Sequence, residues 1–342
     1  MPAYILTPIL LIAGFALLLY GAHLLIEGAS IIARKLKISG LVIGLTIVAF
    51  GTSAPELFVN IQASIKGTSG IAMGNILGSN ITNIFLVLGA CAIIYPIALK
   101  KNTIWKEIPL SLLAAVMVGV LANDGLIDKM PFSILTRSDG IVLIAFFIIF
   151  MYYAYGIAKT EIFQEIDGTQ TMSTSKAILF TILGIIFLPV GGKLIVDAAL
   201  KLATMLGASE FLIGATIIAI GTSAPELITS VMAAYKKKTD IAIGNIVGSN
   251  IFNIFWILGL SAIIRPIPFQ KLNNIDILIT AFASVVLLVF LYFNKKYALF
   301  GIGGEEHRIE RWEGIVLLML YAGYITYLIF TQSVAAPGVA VP

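Results

Sequence analysis

The chain has 342 residues, of which 59% are hydrophobic and only 12% charged, and its mean hydropathy is +1.01. A soluble domain carries about 25% charged residues, so this composition excludes a fold whose whole surface meets water. The net charge of +4 does not indicate nucleic acid, because the Lys and Arg residues sit in short loops between apolar runs. A single cysteine, Cys91, excludes an internal disulfide, and the two histidines, His23 and His307, are too far apart in sequence to suggest a zinc cluster.

A membrane span needs roughly 20 apolar residues. The first apolar run, 4–32, lacks a basic start and is too long for a signal-peptide core, so it reads as a retained helix. Nine more follow, near 40–65, 71–95, 106–123, 139–158, 177–202, 210–235, 241–264, 274–293 and 313–331. The longest connection, 159–176, carries Glu161, Glu165, Asp167, Ser173 and Ser175 and reads as a cytoplasmic linker between residues 1–158 and 177–342.

Alternate loops hold unequal positive charge. One set carries 15 Lys and Arg residues and the other 6. The positive-inside rule places the richer set in the cytoplasm and both termini outside.

The two parts repeat one another. Shifted by 170 residues, Ile43–Gly89 lies on Ile213–Gly259 without a gap, and about 28 of the 47 positions are identical. Gly51-Thr-Ser-Ala-Pro-Glu-Leu57 recurs as Gly221–Leu227, and Gly74–Phe85 recurs as Gly244–Phe255 with two changes. Five spans separate equivalent helices, so the second copy enters the membrane from the opposite side. The expected fold is an all-α membrane protein of ten transmembrane helices in two inverted five-helix repeats, with a substrate site near the midplane.

Pro55 lies in mid-span, where it cannot donate to the carbonyl of Gly51. A kink there is expected, with carbonyls near Ala49–Gly51 made available. Glu56 follows, and a carboxylate in mid-membrane costs about 2.5–3.5 kcal/mol on insertion scales. Thr52, Ser53 and Glu56 can face one spot, and Thr222, Ser223, Pro225 and Glu226 repeat the arrangement. A single copy would also fit a structural kink with a neutral Glu. Two copies of opposite orientation point to function.

In the next span, Gly74 and Gly78, like Gly244 and Gly248, suit close helix packing. Ser79 with Asn83, and Ser249 with Asn253, make polar stripes. Asn75, Asn80, Asn245 and Asn250 lie off those stripes and are expected to cap broken backbone. The converging groups are all oxygen ligands around two carboxylates, which suits calcium or sodium and disfavours soft metals. No phosphate-binding loop indicates an ATP-driven pump, and nothing supports a hydrolase that uses the Glu pair as acid and base.

At these residues the sequence resembles the calcium/cation antiporter superfamily, and its prokaryotic sodium/calcium exchanger branch in particular. The Gly-Thr-Ser-x-Pro-Glu and Gly-Asn-x-x-Gly-Ser-Asn-Ile-x-Asn pairs carry the resemblance, which extends over essentially the whole chain. It implies exchange of Ca2+ for Na+ by alternating access, no enzymatic activity and no resident cofactor. The implied cation ligands are Thr52, Ser53, Glu56, Ser79, Asn83, Thr222, Ser223, Glu226, Ser249 and Asn253, with the backbone carbonyls of Ala49 and Ala219. Helices 1 and 6 would slide as gates. The expected setting is the lipid bilayer of the plasma membrane, with the chain working as a monomer and without nucleic acid. Some relatives carry Asp where this chain has Asn253, which bears on potassium and proton use. Exchange of protons for calcium, or of another cation in the same fold, is the alternative, but the Thr-Ser-x-Pro-Glu form favours sodium.

Overall fold

The computed structural model describes residues 3–67, 69–99, 103–160, 172–205, 219–270, 273–298 and 307–335. In chain order the helices are α1 (Ala3–Leu36), α2 (Gly40–Thr52), α3 (Ala54–Lys66), α4 (Ser69–Thr82) and α5 (Gly89–Ile94). Next come α6 (Ile108–Leu121), α7 (Asp124–Ile127), α8 (Arg137–Thr160) and α9 (Thr174–Met205). The set closes with α10 (Ala219–Thr222), α11 (Ala224–Tyr235), α12 (Thr239–Ile251), α13 (Gly259–Ile264), α14 (Asn273–Ala298) and α15 (Arg311–Ala335).

Among the described residues, seven helices are long and apolar enough to cross a membrane, and eight if the bent pair α2–α3 counts as one span. Of the other two expected spans, 106–123 appears as a π turn, Thr103–Glu107, leading into α6. The start of 210–235 lies outside the described residues, as do Glu161, Glu165 and Asp167 of the linker. Helices reach Thr160 and resume at Thr174, so both intrude on the linker expected at 159–176.

The chain is not purely helical. Four short strands form two antiparallel ribbons: β1 (Ile97–Leu99) pairs with β4 (His307–Ile309), and β2 (Ile134–Leu135) with β3 (Ile267–Pro268). Each strand lies in a connection between helices, where backbone groups have no intrahelical partner and pair across loops instead. Both ribbons join the first part of the chain to the second.

Two spans form the centre. In the most apolar 18-residue stretch of 72–94 and of 239–264, 78% and 83% is buried, against 22–39% for the other long spans. Met73, Ile76, Leu77 and Phe85 from the first interlock with Ile246, Ile251, Ile254 and Phe255 from the second in the main apolar core. Helices α1 and α9 stand outside that core and pack on each other, joined to the rest through Ile43, Val48, Ala233 and Ile241.

Close approach of α1 and α9 depends on glycine. A Cβ at Gly184 would stand 2.7 Å from Leu25 and 2.8 Å from the Gly21 carbonyl, and one at Gly191 would stand 2.9 Å from the Gly14 carbonyl. The pairs 14 with 191 and 21 with 184 run in opposite senses, so the helices are antiparallel. Gly184→Val should destabilise the protein by about 1–3 kcal/mol through overpacking against backbone. A melting curve in detergent indistinguishable from wild type would contradict this.

Ion pairs tie α1 to the residues that follow α11. Glu27 meets Lys236 Nζ at 2.8 Å and Lys238 Nζ at 3.5 Å, and Lys236 Nζ also lies 2.9 Å from His23 Nδ1. Glu27→Gln should lower the melting temperature by the equivalent of about 1 kcal/mol at low salt. The difference should shrink as salt is raised, and a difference independent of salt would argue against an ionic origin.

Candidate cation site

Each helix break is built alike. Ser53 has φ −82° and ψ 8°, and Ser223 has φ −86° and ψ 6°. Proline follows at the second helical position, where its missing N–H leaves nothing unsatisfied. The carboxylates of Glu56 and Glu226 come next, in the first turn, where the positive end of the helix dipole favours negative charge. Ser-Ala-Pro-Glu has the spacing of a capping box, yet neither serine hydroxyl caps its own helix.

The hydroxyls turn to the other half of the chain. Ser53 Oγ donates to Glu226 Oε1 at 2.9 Å. Ser223 Oγ donates to Ser79 Oγ at 3.3 Å, and Ser79 Oγ lies 3.5 Å from Glu56 Oε1. Ser249 Oγ lies 3.5 Å from Glu226 Oε1 and 3.4 Å from Thr52 Oγ1. Thr52 Oγ1 donates to Asn245 Oδ1 at 2.9 Å, and Thr222 Oγ1 lies 3.5 Å from Asn75 Oδ1. Glu56 and Glu226 are 0% and 1% exposed.

The asparagines form a second crossed set. Asn83 Nδ2 donates to Asn250 Oδ1 at 3.0 Å, and Asn253 Nδ2 donates to Asn80 Oδ1 at 2.9 Å. Asn80 Nδ2 donates to the Asn250 carbonyl at 3.2 Å. These bonds occupy the amide nitrogens of Asn83 and Asn253 and leave their oxygens free. At this centre four buried oxygens have no donor among the described residues: Glu56 Oε2, Glu226 Oε2, Asn83 Oδ1 and Asn253 Oδ1. Unpaired buried acceptors are costly in an apolar medium, and a hard cation satisfies acceptors without needing any of its own. Among the described residues no three His, Cys, Asp or Glu side chains cluster, so the centre is two carboxylates with neutral oxygens.

The structure modifies several sequence expectations. The carbonyl of Ala49 is not freed by the break, because it accepts from Ser53 N at 3.0 Å and from Thr52 Oγ1 at 3.3 Å. Ala219 opens α10, and the residues before it lie outside the described set. Of the four off-stripe asparagines, only Asn80 bonds a backbone carbonyl at the centre. Asn245 and Asn250 accept from Thr52 and Asn83 and so orient site side chains instead of capping backbone. Gly244 and Gly248 do pack closely, with a Cβ at either meeting backbone of α2 within 3.0 Å. Among the described residues nothing approaches a Cβ at Gly74 or Gly78, and the repeat equivalent of the segment that packs on Gly244 and Gly248, 211–218, lies outside the described residues.

Sequence reasoning missed the π turns. One spans Asn83–Leu88 and its mate Phe252–Leu258, so both begin at the polar stripes. Such single-turn bulges gather at functional sites, and nothing in the residue pattern announced them.

The sodium/calcium exchanger protein family model matches residues 6–156 and 176–330. A sodium/calcium exchanger of Methanosarcina acetivorans is 31% identical over 94% of this chain and 98% of its own length. The inner membrane protein YrbG of Escherichia coli is 38% identical over 75% of this chain and 79% of its own. A solved structure of the sodium-calcium exchanger NCX_Mj, soaked with Na+ and Sr2+, superposes with a TM-score of 0.78 at 34% identity, covering 94% of this chain and 98% of that one. With matches of this extent, the chain belongs to the sodium/calcium exchanger protein family, a family of membrane cation antiporters.

Proposed function

We propose that this protein is a secondary active antiporter that exchanges Ca2+ for Na+ by alternating access at one midplane site. The observation that carries this reading is the set of four donor-free oxygens on Glu56, Glu226, Asn83 and Asn253, buried where the two helix breaks meet. Two carboxylates balance one divalent ion, and irregular all-oxygen coordination is what calcium accepts. Sodium ions competing for the same oxygens would couple the two fluxes. The full ligand set on this reading is Thr52, Ser53, Glu56, Ser79, Asn83, Thr222, Ser223, Glu226, Ser249 and Asn253, with the carbonyl of Ala219; the Ala49 carbonyl, already accepting from Ser53 N and Thr52 Oγ1, is left out.

The same reading counts ten transmembrane segments in two inverted five-helix repeats, taking Thr103–Leu121 and the segment ending at Tyr235 as the remaining two. Both termini face outside the plasma membrane, and one chain suffices for transport. The paired helices α1 and α9, which stand apart from the main core, serve as the gate. No resident cofactor takes part.

Calcium uptake into sodium-loaded proteoliposomes tests the exchange. Uptake should require the outward sodium gradient and survive collapse of a pH gradient. Strict dependence on the pH gradient would move the assignment to proton coupling.

A further inference from the structure

The two halves differ one helical turn beyond the centre. Helices α3 and α4 run antiparallel with Glu56 beside Ser79, and that register sets Asn60 opposite Asn75. In the second half Glu226 lies beside Ser249, and the next pair is Ser230 with Asn245. There Asn245 Nδ2 donates to Ser230 Oγ at 2.9 Å, which closes the turn. In the first half nothing among the described residues closes it. Asn60 is 0% exposed, and neither its Nδ2 nor its Oδ1 has a partner. Asn75 Nδ2 is also without an acceptor. One turn further along the same face of α3, Ser64 is 0% exposed with its hydroxyl unpaired, where the second half has Ala234.

A buried polar group without a partner costs about 1–3 kcal/mol. Here the unpaired amide of Asn60 stands opposite the unpaired Asn75 Nδ2 by that register, and the donor-free Oε2 of Glu56 and the Ser64 hydroxyl belong to residues one turn to either side on α3. A bare cation would be repelled by the N–H hydrogens. Water both donates and accepts, and it needs two to four polar partners, which this crevice supplies. We infer that the crevice between α3 and α4 is an accessory hydration site, in which water held by Asn60 and Asn75 bridges to Glu56 and supplies one ligand to the arriving cation.

This inference rests on the transport reading for its role but not for its existence. The site is one-sided, because Ser230 and Ala234 leave no equivalent beside Glu226. Cations reaching Glu56 past α3 keep part of their hydration shell, and those arriving from the other face meet a dry approach.

Radiolabelled calcium uptake by proteoliposomes containing Asn60→Leu and Asn60→Ser tests the role. Leu removes the donor and acceptor at similar volume, and Ser copies the second half. Asn60→Leu should raise half-saturating calcium about tenfold on the face where α3 ends, the equivalent of one hydrogen bond of ~1.4 kcal/mol. The maximal rate should stay within about twofold, as loss of uniform binding requires. Asn60→Ser, able to pair with Asn75, should show a smaller rise. Unchanged half-saturation in both variants on both faces overturns the role. A high-resolution crystal structure of the unmodified protein tests the site itself. Ordered density within hydrogen-bond reach of both amides is expected, and a direct Asn60–Asn75 bond overturns it. Absence of calcium flux in the unmodified protein would defeat the exchange reading alone, since the crystallographic result judges the hydration site separately.

Discussion

Glu56→Gln and Glu226→Gln are each expected to abolish calcium exchange while leaving the protein folded. Each carboxylate accepts from serine through Oε1 and presents Oε2 without a donor. The amide preserves shape but removes one negative charge. If its nitrogen takes the place of Oε2, it also turns an N–H group toward the cation. Removing one partner of a buried charge pair costs about 3–5 kcal/mol, so flux should fall by at least about a hundredfold. Stability should hold or rise, because an uncompensated buried charge is removed when no cation is bound. Sodium-dependent calcium uptake measures the first effect and melting in detergent the second. Either variant transporting at the unmodified rate would remove that carboxylate from the site.

Asn80→Leu should have the next largest effect, although Asn80 is not among the proposed ligands. Its Oδ1 accepts from Asn253 and its Nδ2 donates to the Asn250 carbonyl, so one side chain holds two elements of the other half. Leucine fills nearly the same volume without either bond. It leaves the Asn253 amide nitrogen buried and unpaired, at about 1–3 kcal/mol, and removes one donor from the Asn250 carbonyl. The Asn253 amide is then no longer held with its oxygen toward the centre. We expect a melting temperature clearly below that of the unmodified protein and transport reduced by about tenfold or more. The variant Asn250→Leu should act similarly through Asn83. Unaltered melting and flux in Asn80→Leu would show that the crossed amide bonds are dispensable.

The sequence by itself determined the repeat, the two helix breaks and the identity of the acidic residues. A proline in mid-span followed by Glu has the same local consequence in any tertiary setting, because the missing N–H and the cost of a mid-membrane carboxylate are local matters. The stripes Ser79 with Asn83 and Ser249 with Asn253 were legible for the same reason, since helical spacing puts them on one face.

Only the tertiary structure decided how these pieces meet. Ser53 serves Glu226 and not its own helix, and Asn83 is oriented by Asn250. Those partners lie more than 160 residues apart in the chain. No local rule links them, and their pairing follows from how two buried spans pack. The one-sided character of the crevice at Asn60 also needed the structure. The substitution of Asn60 by Ser230 is plain in the repeat, but whether each finds a partner depends on the reach of a side chain across to α4 or α12. An amide and a hydroxyl of different length, set in the same register, leave one turn closed by a hydrogen bond and the other without one among the described residues.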